Sequence, residues 1–158
     1  MELKQLMKNY PKSGKVEWIG LREKNFDAPK AVNRASVTPE KGLEGDHYKG
    51  KSRKRQVTLI QKEHIDAVSS MMDKAIDPAL LRRNVVVSGL NLLSLKDTTF
   101  QLGSAILRFT GLCHPCSRME KNLGEGGYNA MRGHGGITAE VVKDGVFEIG
   151  DGLIITEQ

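Results

Sequence analysis

The sequence predicts a mainly β domain, a closed or nearly closed barrel with short helices on its outside. Three observations carry this. From Thr98 onward, short runs rich in β-branched and aromatic residues recur between turn signals. Eleven of the 17 glycines fall after residue 102, so the turns crowd into the same region. Helical spacing is best seen in Lys62 to Lys74, where Ile65, Val68, Met71 and Met72 line up.

Residues 1–13 are polar, contain Pro11 and read as a leader or short helix, with the single domain expected over 14–158. Val16, Trp18 and Ile19 predict a first strand within Lys15 to Leu21. Lys24 to Pro39 carries Pro29, Asn33 and Pro39, which predicts a long turn with a short strand near Ala35–Val37. Lys41 to Asp46 is a glycine-punctuated loop. Arg55 to Gln61 is a strand, and the helix over 62–74 follows it directly. Asp77 before Pro78 signals a helix start. A short helix through Leu81 then leads into a buried strand, Asn84–Ser88, which Gly89 ends.

The later strands are Thr99–Leu102, Ala105–Thr110, Ile137–Val142, Val146–Ile149 and Leu153–Thr156. Lys143-Asp144-Gly145 predicts a hairpin between two of them, and Gly150-Asp151-Gly152 another turn. Cys116–Leu123 and Tyr128–Met131 are short helical pieces.

Composition excludes several classes. A chain of 158 residues buries a core without disulfide or metal staples. With 39% hydrophobic and 27% charged residues, wholesale disorder is excluded. No stretch approaches the roughly 18 apolar residues of a membrane helix. Met1-Glu2-Leu3-Lys4 lacks the apolar run of a signal peptide, so a cytoplasmic location without a membrane partner is expected. The net charge of +5 is uneven. Residues 1–58 hold 14 Lys/Arg against 7 Asp/Glu, which is +7, and the remainder is −2. A basic half implies an anionic partner.

The richest segment is Gly111-Leu-Cys-His-Pro-Cys-Ser-Arg-Met-Glu120, directly after a predicted strand. Cys116 follows Pro115 and stands where a helical turn would begin, a place that favours negative charge. His114 and Arg118 are near enough to assist. Such a thiol serves as nucleophile, sulfur carrier or metal ligand, or is merely a buried inert cysteine. Cys113 and Cys116 have Cys-x-x-Cys spacing, but a thioredoxin-type site belongs beside a βαβ pattern. Structural zinc would need two more ligands, and His47, His64 and His134 form no second tight pair.

Gly124 to Gly136 is glycine-rich and includes Arg132 and His134. Glycines let backbone N–H groups approach an anion, and the two side chains add donors. The alternative is a plain surface loop. A third cluster, Leu43 to Tyr48, runs into Lys49, Lys51, Arg53, Lys54 and Arg55. It suits a small anion or a solvated loop. Nucleic acid is the weaker reading, since only Tyr48 offers a stacking ring nearby. Arg82-Arg83-Asn84 adds cationic and amide groups at the next strand.

Taken in order, these pieces resemble the MOSC domain, named for the C-terminal domain of molybdenum cofactor sulfurases. The matching residues are Leu43-Glu44-Gly45-Asp46, Arg55-Gln56-Val57-Thr58, Arg83-Asn84 with Ser88-Gly89, Pro115-Cys116 and Arg132-Gly133-His134-Gly135-Gly136. Asp144-Gly145 and Ile149-Gly150-Asp151 complete the series. The resemblance spans about Gly14 to Thr156 and implies a β-barrel with peripheral helices. It also implies binding of the molybdenum cofactor (molybdopterin) or carriage of activated sulfur, with Cys116 as the sulfur carrier or molybdenum ligand. Arg55, Arg83, Asn84, Arg132 and His134 are then the candidate contacts to the pterin phosphate and oxo groups. Glu44 and Asp46 would order their loop. Cys113 either resolves a persulfide or is incidental.

One departure is that Gly-Asp-His-Tyr stands where many relatives continue with His-Gly-Gly. The chain also carries neither the pyridoxal-phosphate domain of the sulfurases nor the additional domain of relatives that reduce N-hydroxylated compounds. A sulfur donor or an electron-transfer protein is therefore an expected partner. Two alternative functions remain at this point: a reductase component for N-hydroxylated compounds, and a basic nucleic-acid-binding module.

Overall fold

The computed structural model describes residues 1–24, 28–48 and 52–157, apart from the Glu157 side chain. Lys49 and Lys51 of the basic run lie outside the described residues.

Strands β1 (Gly14–Leu21), β5 (Val57–Gln61), β6 (Val85–Ser88), β7 (Thr99–Leu102), β8 (Ala105–Leu112), β9 (Ile137–Lys143) and β11 (Gly152–Glu157) form a closed barrel. Its order is β11-β7-β8-β9-β5-β6-β1, and β1 returns to β11 through Gly14 and Leu153. Strand β2 (Lys30–Val32) adds to the outer side of β1. A separate small sheet joins β10 (Gly145–Glu148), β3 (Arg34–Thr38) and β4 (Gly42–Leu43). The expected mainly β barrel with short peripheral helices is what the chain forms.

Two apolar cores follow from the two faces of β5 and β6. Val57, Leu59, Val85 and Val87 point into the barrel, beside Phe100, Leu107, Ile137 and Leu153. Ala35, Val37, Leu43 and Phe147 of the small sheet belong to the same core. Ile60 and Val86 point outward and are covered by helices α2 (Lys62–Met72), α3 (Ser117–Leu123) and α4 (Gly127–Met131). Their partners there include Ile65, Val68, Met119, Leu123 and Met131. Burial on both faces explains why Val85-Val86-Val87 is a continuous apolar run rather than an alternation. Each such side chain contributes about 1.5–3 kcal/mol by leaving water. Strands β5 and β6 are parallel, and α2 lies on the connection between them. A further short helix, α1 (Leu3–Leu6), lies in the N-terminal segment with no buried residue.

One expectation needs correction. Lys143-Asp144-Gly145 does not make a hairpin: β9 pairs with β8 and β5, and β10 leaves to pair with β3. Gly145 serves close approach instead, because a Cβ there would stand 2.4 Å from the Ala105 nitrogen. The short helix expected after Asp77 forms as a 3-10 helix, Pro78–Leu81, capped by Asp77 Oδ1 accepting from the Ala79 N–H. A second 3-10 turn, Leu92–Leu95, had no counterpart in the predicted elements. Leu92 and Leu95 are buried in the barrel core, which the strand pattern on either side did not signal.

Candidate functional site

The candidate residues flank strand ends on one side of the barrel. Cys113 follows β8 and Gly136 precedes β9, and the Cys113 N–H donates to the Gly136 carbonyl at 2.9 Å. This bond continues the β8–β9 ladder beyond Leu112 and Ile137. Arg55 ends a 3-10 turn, Arg53–Arg55, just before β5. That turn is tied across β8, with the Thr110 hydroxyl donating to the Lys54 carbonyl. Arg83 and Asn84 immediately precede β6.

Glycine matters here for space. A Cβ on Gly135 would lie 2.0 Å from the Cys113 carbonyl oxygen. One on Gly136, whose φ is +88°, would lie 2.0 Å from the Leu59 carbonyl oxygen. The Gly133–Gly136 loop therefore packs backbone against backbone on both the cysteine segment and β5.

Arg83 is only 8% exposed. Its Nε donates to the Gly135 carbonyl at 2.7 Å, Nη1 to the Leu81 carbonyl at 2.9 Å and Nη2 to the Cys113 carbonyl at 3.4 Å. One guanidinium thus ties the glycine loop, the 3-10 helix and the cysteine segment together. Burial holds its pKa below the ordinary arginine range. Cys113 and Cys116 oppose that fall, while Arg55 and Arg22 add to it. Arg82 is lowered too, first by burial, then by Arg22 and Arg118, with Cys116 again opposing. Arg22, Arg55 and Arg118 thus each lie near Arg82 or Arg83, which gather positive charge beside the cysteine segment.

The thiols differ. Cys113 is buried and Cys116 exposed, and neither is in a disulfide. Arg55 Nη2 lies 3.9 Å from Cys113 Sγ. Cys116 is the N-cap residue of α3, and its carbonyl accepts from the Met119 N–H at 2.9 Å. It opens onto a groove of about 810 Å³ walled by Pro115, Ser117, Glu120, Glu125, Tyr128 and Asn129. Glu120 shapes that groove by accepting the N–H groups of Gly126 and Tyr128, both at 3.0 Å. These two bonds hold its carboxyl below the usual carboxylate range.

Asn84 is 2% exposed, with both ends of its amide engaged. Oδ1 accepts from the Thr58 N–H and hydroxyl, each at 3.0 Å. Nδ2 donates to the Gly20 carbonyl and to Asp46 Oδ1, each at 3.2 Å. Asp46 also accepts the Arg22 N–H at 2.8 Å. This network anchors the Leu43–Asp46 loop to β1 and β6 and gives Asn84 a scaffold position beneath the arginines.

Arg132 and His134 stand apart from that cluster. Arg132 Nη1 donates to Asn129 Oδ1 at 3.4 Å, on the groove wall. His134 turns toward α2, its ring edge-on to His64 with centroids 4.8 Å apart and Nδ1 2.9 Å from the Ala130 carbonyl. The loop brings its backbone, rather than these two side chains, to the cysteines.

Arg22 was not among the expected residues. It follows β1, far from the cysteines in sequence, and no local pattern marks it. Its Nε is buried without a hydrogen-bond acceptor among the described residues and lies 4.0 Å from Asp46 Oδ1. A buried guanidinium N–H lacking an acceptor, near Arg82 and Arg83, fits an anionic group. No cluster of three or more His, Cys, Asp or Glu side chains able to hold a metal occurs among the described residues. No described helix is long and apolar enough to cross a membrane.

The family model described as MOSC domain matches residues 43–153. The structure is similar to the YuaD protein of Bacillus subtilis, at 21% identity and a TM-score of 0.79 over 93% of this chain and 97% of that one. YiiM from Escherichia coli is similar at 19% identity and 0.70, over 94% and 71%. YiiM from Geobacillus stearothermophilus is similar at 16% identity and 0.75, over 91% and 75%. No curated protein matches the sequence.

Proposed function

Because the chain belongs to the MOSC domain family, which is associated with the molybdenum cofactor, we propose that it carries that cofactor or its activated sulfur on Cys116. The observation that carries the proposal is an exposed thiol at a helix start, facing a groove that shares Ser117 and Glu120 with a neighbouring one lined by Arg82, Arg118 and Lys121. The cofactor, when bound, supplies a metal able to exchange oxo and sulfur groups, attached to a pterin that ends in phosphate.

The chain's own part is binding and orientation. Arg22, Arg55, Arg82 and Arg118 attract the anion, and Arg22 Nε has a donor to give. Arg83 spends its donors on three carbonyls and fixes the strand-end geometry. Asn84 holds the layer below. Cys116 alone presents sulfur to the groove. Of the four attracting arginines, Arg22 and Arg55 belong to the basic half of the chain.

The test uses protein purified from a host that makes the cofactor. Molybdenum and pterin are measured, and persulfide on Cys116 is sought by mass spectrometry. Bound molybdenum and pterin, or a persulfide, lost in Cys116→Ser without loss of folding, is the expected result. Absence of all three sinks the proposal. Molybdenum and pterin without persulfide would favour a reductase component over a sulfur carrier.

A further inference from the structure

We infer that Cys113 is the resolving thiol for Cys116: it attacks sulfur held there as a persulfide, forms a Cys113–Cys116 disulfide and releases the outer sulfur as hydrogen sulfide. This rests on the sulfur-carrying form of the proposed function.

Four observations lead to it. First, Cys113 is 2% exposed, so bulk reagents and large partners do not reach its sulfur. The other thiol lies close by in sequence. Cys116 is three residues away, at most about 10 Å along an extended backbone. His114 and Pro115 between them belong to no helix or strand. Second, Cys113 is held at both backbone ends, its N–H on the Gly136 carbonyl and its carbonyl on Arg83 Nη2. Gly135 packs on the same carbonyl too closely to admit a Cβ. A fixed buried thiol is a poor carrier but a well-placed internal nucleophile. Third, Arg55 Nη2 stands 3.9 Å from the sulfur, which puts a permanent positive charge beside it as electrons are drawn onto the new bond. A merely structural cysteine in an apolar core has no need of such a neighbour. Fourth, Arg83 Nη2 donates to the Cys113 carbonyl at 3.4 Å, and charge on either sulfur opposes the fall in the Arg83 pKa, which puts both cysteines near one guanidinium.

The step balances without an outside reagent. The Cys113 S–H bond breaks and its sulfur bonds to the Cys116 sulfur. The Cys116 sulfur–sulfur bond breaks, and the outer sulfur leaves with its own hydrogen and the Cys113 proton. Cys113 is oxidised and the departing sulfur reduced. Resetting the pair consumes an external dithiol reductant, which takes up the disulfide and returns two hydrogens. Discharge is then an internal event, and a second sulfur is accepted only after reduction.

The experiment loads the full reduced chain with inorganic polysulfide, removes the excess and follows released hydrogen sulfide and intact mass. Wild-type protein is expected to release one equivalent. It should finish with a non-reduced peptide linking Cys113 to Cys116. In Cys113→Ser the extra sulfur stays on the Cys116 peptide and release slows by about tenfold or more, since the intramolecular nucleophile is gone. Equal release from both proteins, with no linked peptide in wild type, overturns the inference while leaving sulfur carriage intact. No added sulfur on Cys116 in either protein overturns both. If Cys113→Ser fails to fold, the wild-type peptide map and Cys116→Ser decide alone. A linked peptide that appears in wild type only after sulfur loading supports the inference, and its absence defeats it.

Discussion

Cys113 and Cys116 stand three residues apart, yet they belong to differently built halves of one site. On the strand side, Cys113, Arg83, Asn84 and Thr58 are buried, and the polar groups of Arg83, Asn84 and Thr58 are met by named partners. On the helix side, Cys116 is exposed and opens onto a groove formed by α3 and the α4 segment. Saturated hydrogen bonding makes the strand side rigid, because moving any one group strands another without a partner. The helix side keeps its reactive group in the open and relies on the backbone bonds to Glu120 for shape. A site that handles a reactive anion needs both, a fixed positive floor and an accessible thiol.

The largest effect expected from breaking the strand side is at Gly136. In Gly136→Ala the new Cβ meets the Leu59 carbonyl at 2.0 Å, and the left-handed φ of +88° adds strain. Backbone has to move on β5 or β9, at a cost on the order of 4 kcal/mol. Gly133 in the same loop also has a left-handed φ, +79°, but nothing lies within 4 Å of its would-be Cβ. Gly133→Ala should cost only the conformational term, about 1–2 kcal/mol. Urea unfolding of both variants reads the difference. Equal losses would mean that the packing of the loop on β5 is not what holds it.

Asn84→Ala comes next. It leaves the Thr58 N–H and the Gly20 carbonyl without their side-chain partner and frees Asp46 from β6. A loss of about 2–3 kcal/mol is expected in the same assay. A loss below about 1 kcal/mol would show that other groups compensate and that the floor of the site is softer than its hydrogen bonds suggest.

These two positions also show what was legible beforehand. The strands were readable because β-branched runs between turn residues have few other uses, and the Asn84–Ser88 run announced its double-sided burial. The places of Cys116, Arg55 and Arg83 close to strand ends were readable too. What Asn84 does was not, because its partners are Thr58, Gly20 and Asp46, which no spacing rule connects. The β9–β10 turn misled for a related reason. Asp144-Gly145 has hairpin chemistry, but β10 finds its partner in β3, more than a hundred residues earlier. His134 was read by its glycine-rich surroundings, which fix the backbone path and leave the direction of the ring to packing against α2.

That ring sharpens the comparison by a smaller effect, on the helix side. His64 of α2 meets His134 edge to face. Burial first, then the charge of His134, holds the His64 pKa below its ordinary 6.5, and Glu63 acts against them. In the unfolded chain His64 takes its proton near 6.5, while the folded chain resists until lower pH. Between those values the unfolded state binds more protons. This contribution to stability is therefore fully present above 6.5 and is lost as the pH falls through the lowered folded value. His64→Gln removes the titrating group and should flatten the decline in Tm between about pH 7 and pH 5. The change should be smaller than that of Asn84→Ala, since the ring is only partly buried. An unchanged decline would place the acid sensitivity elsewhere. A flattened one would mark the contact between α2 and the glycine loop as the place where acid first loosens the helix side, with the strand side still held by Arg83, whose guanidinium keeps its proton throughout that range.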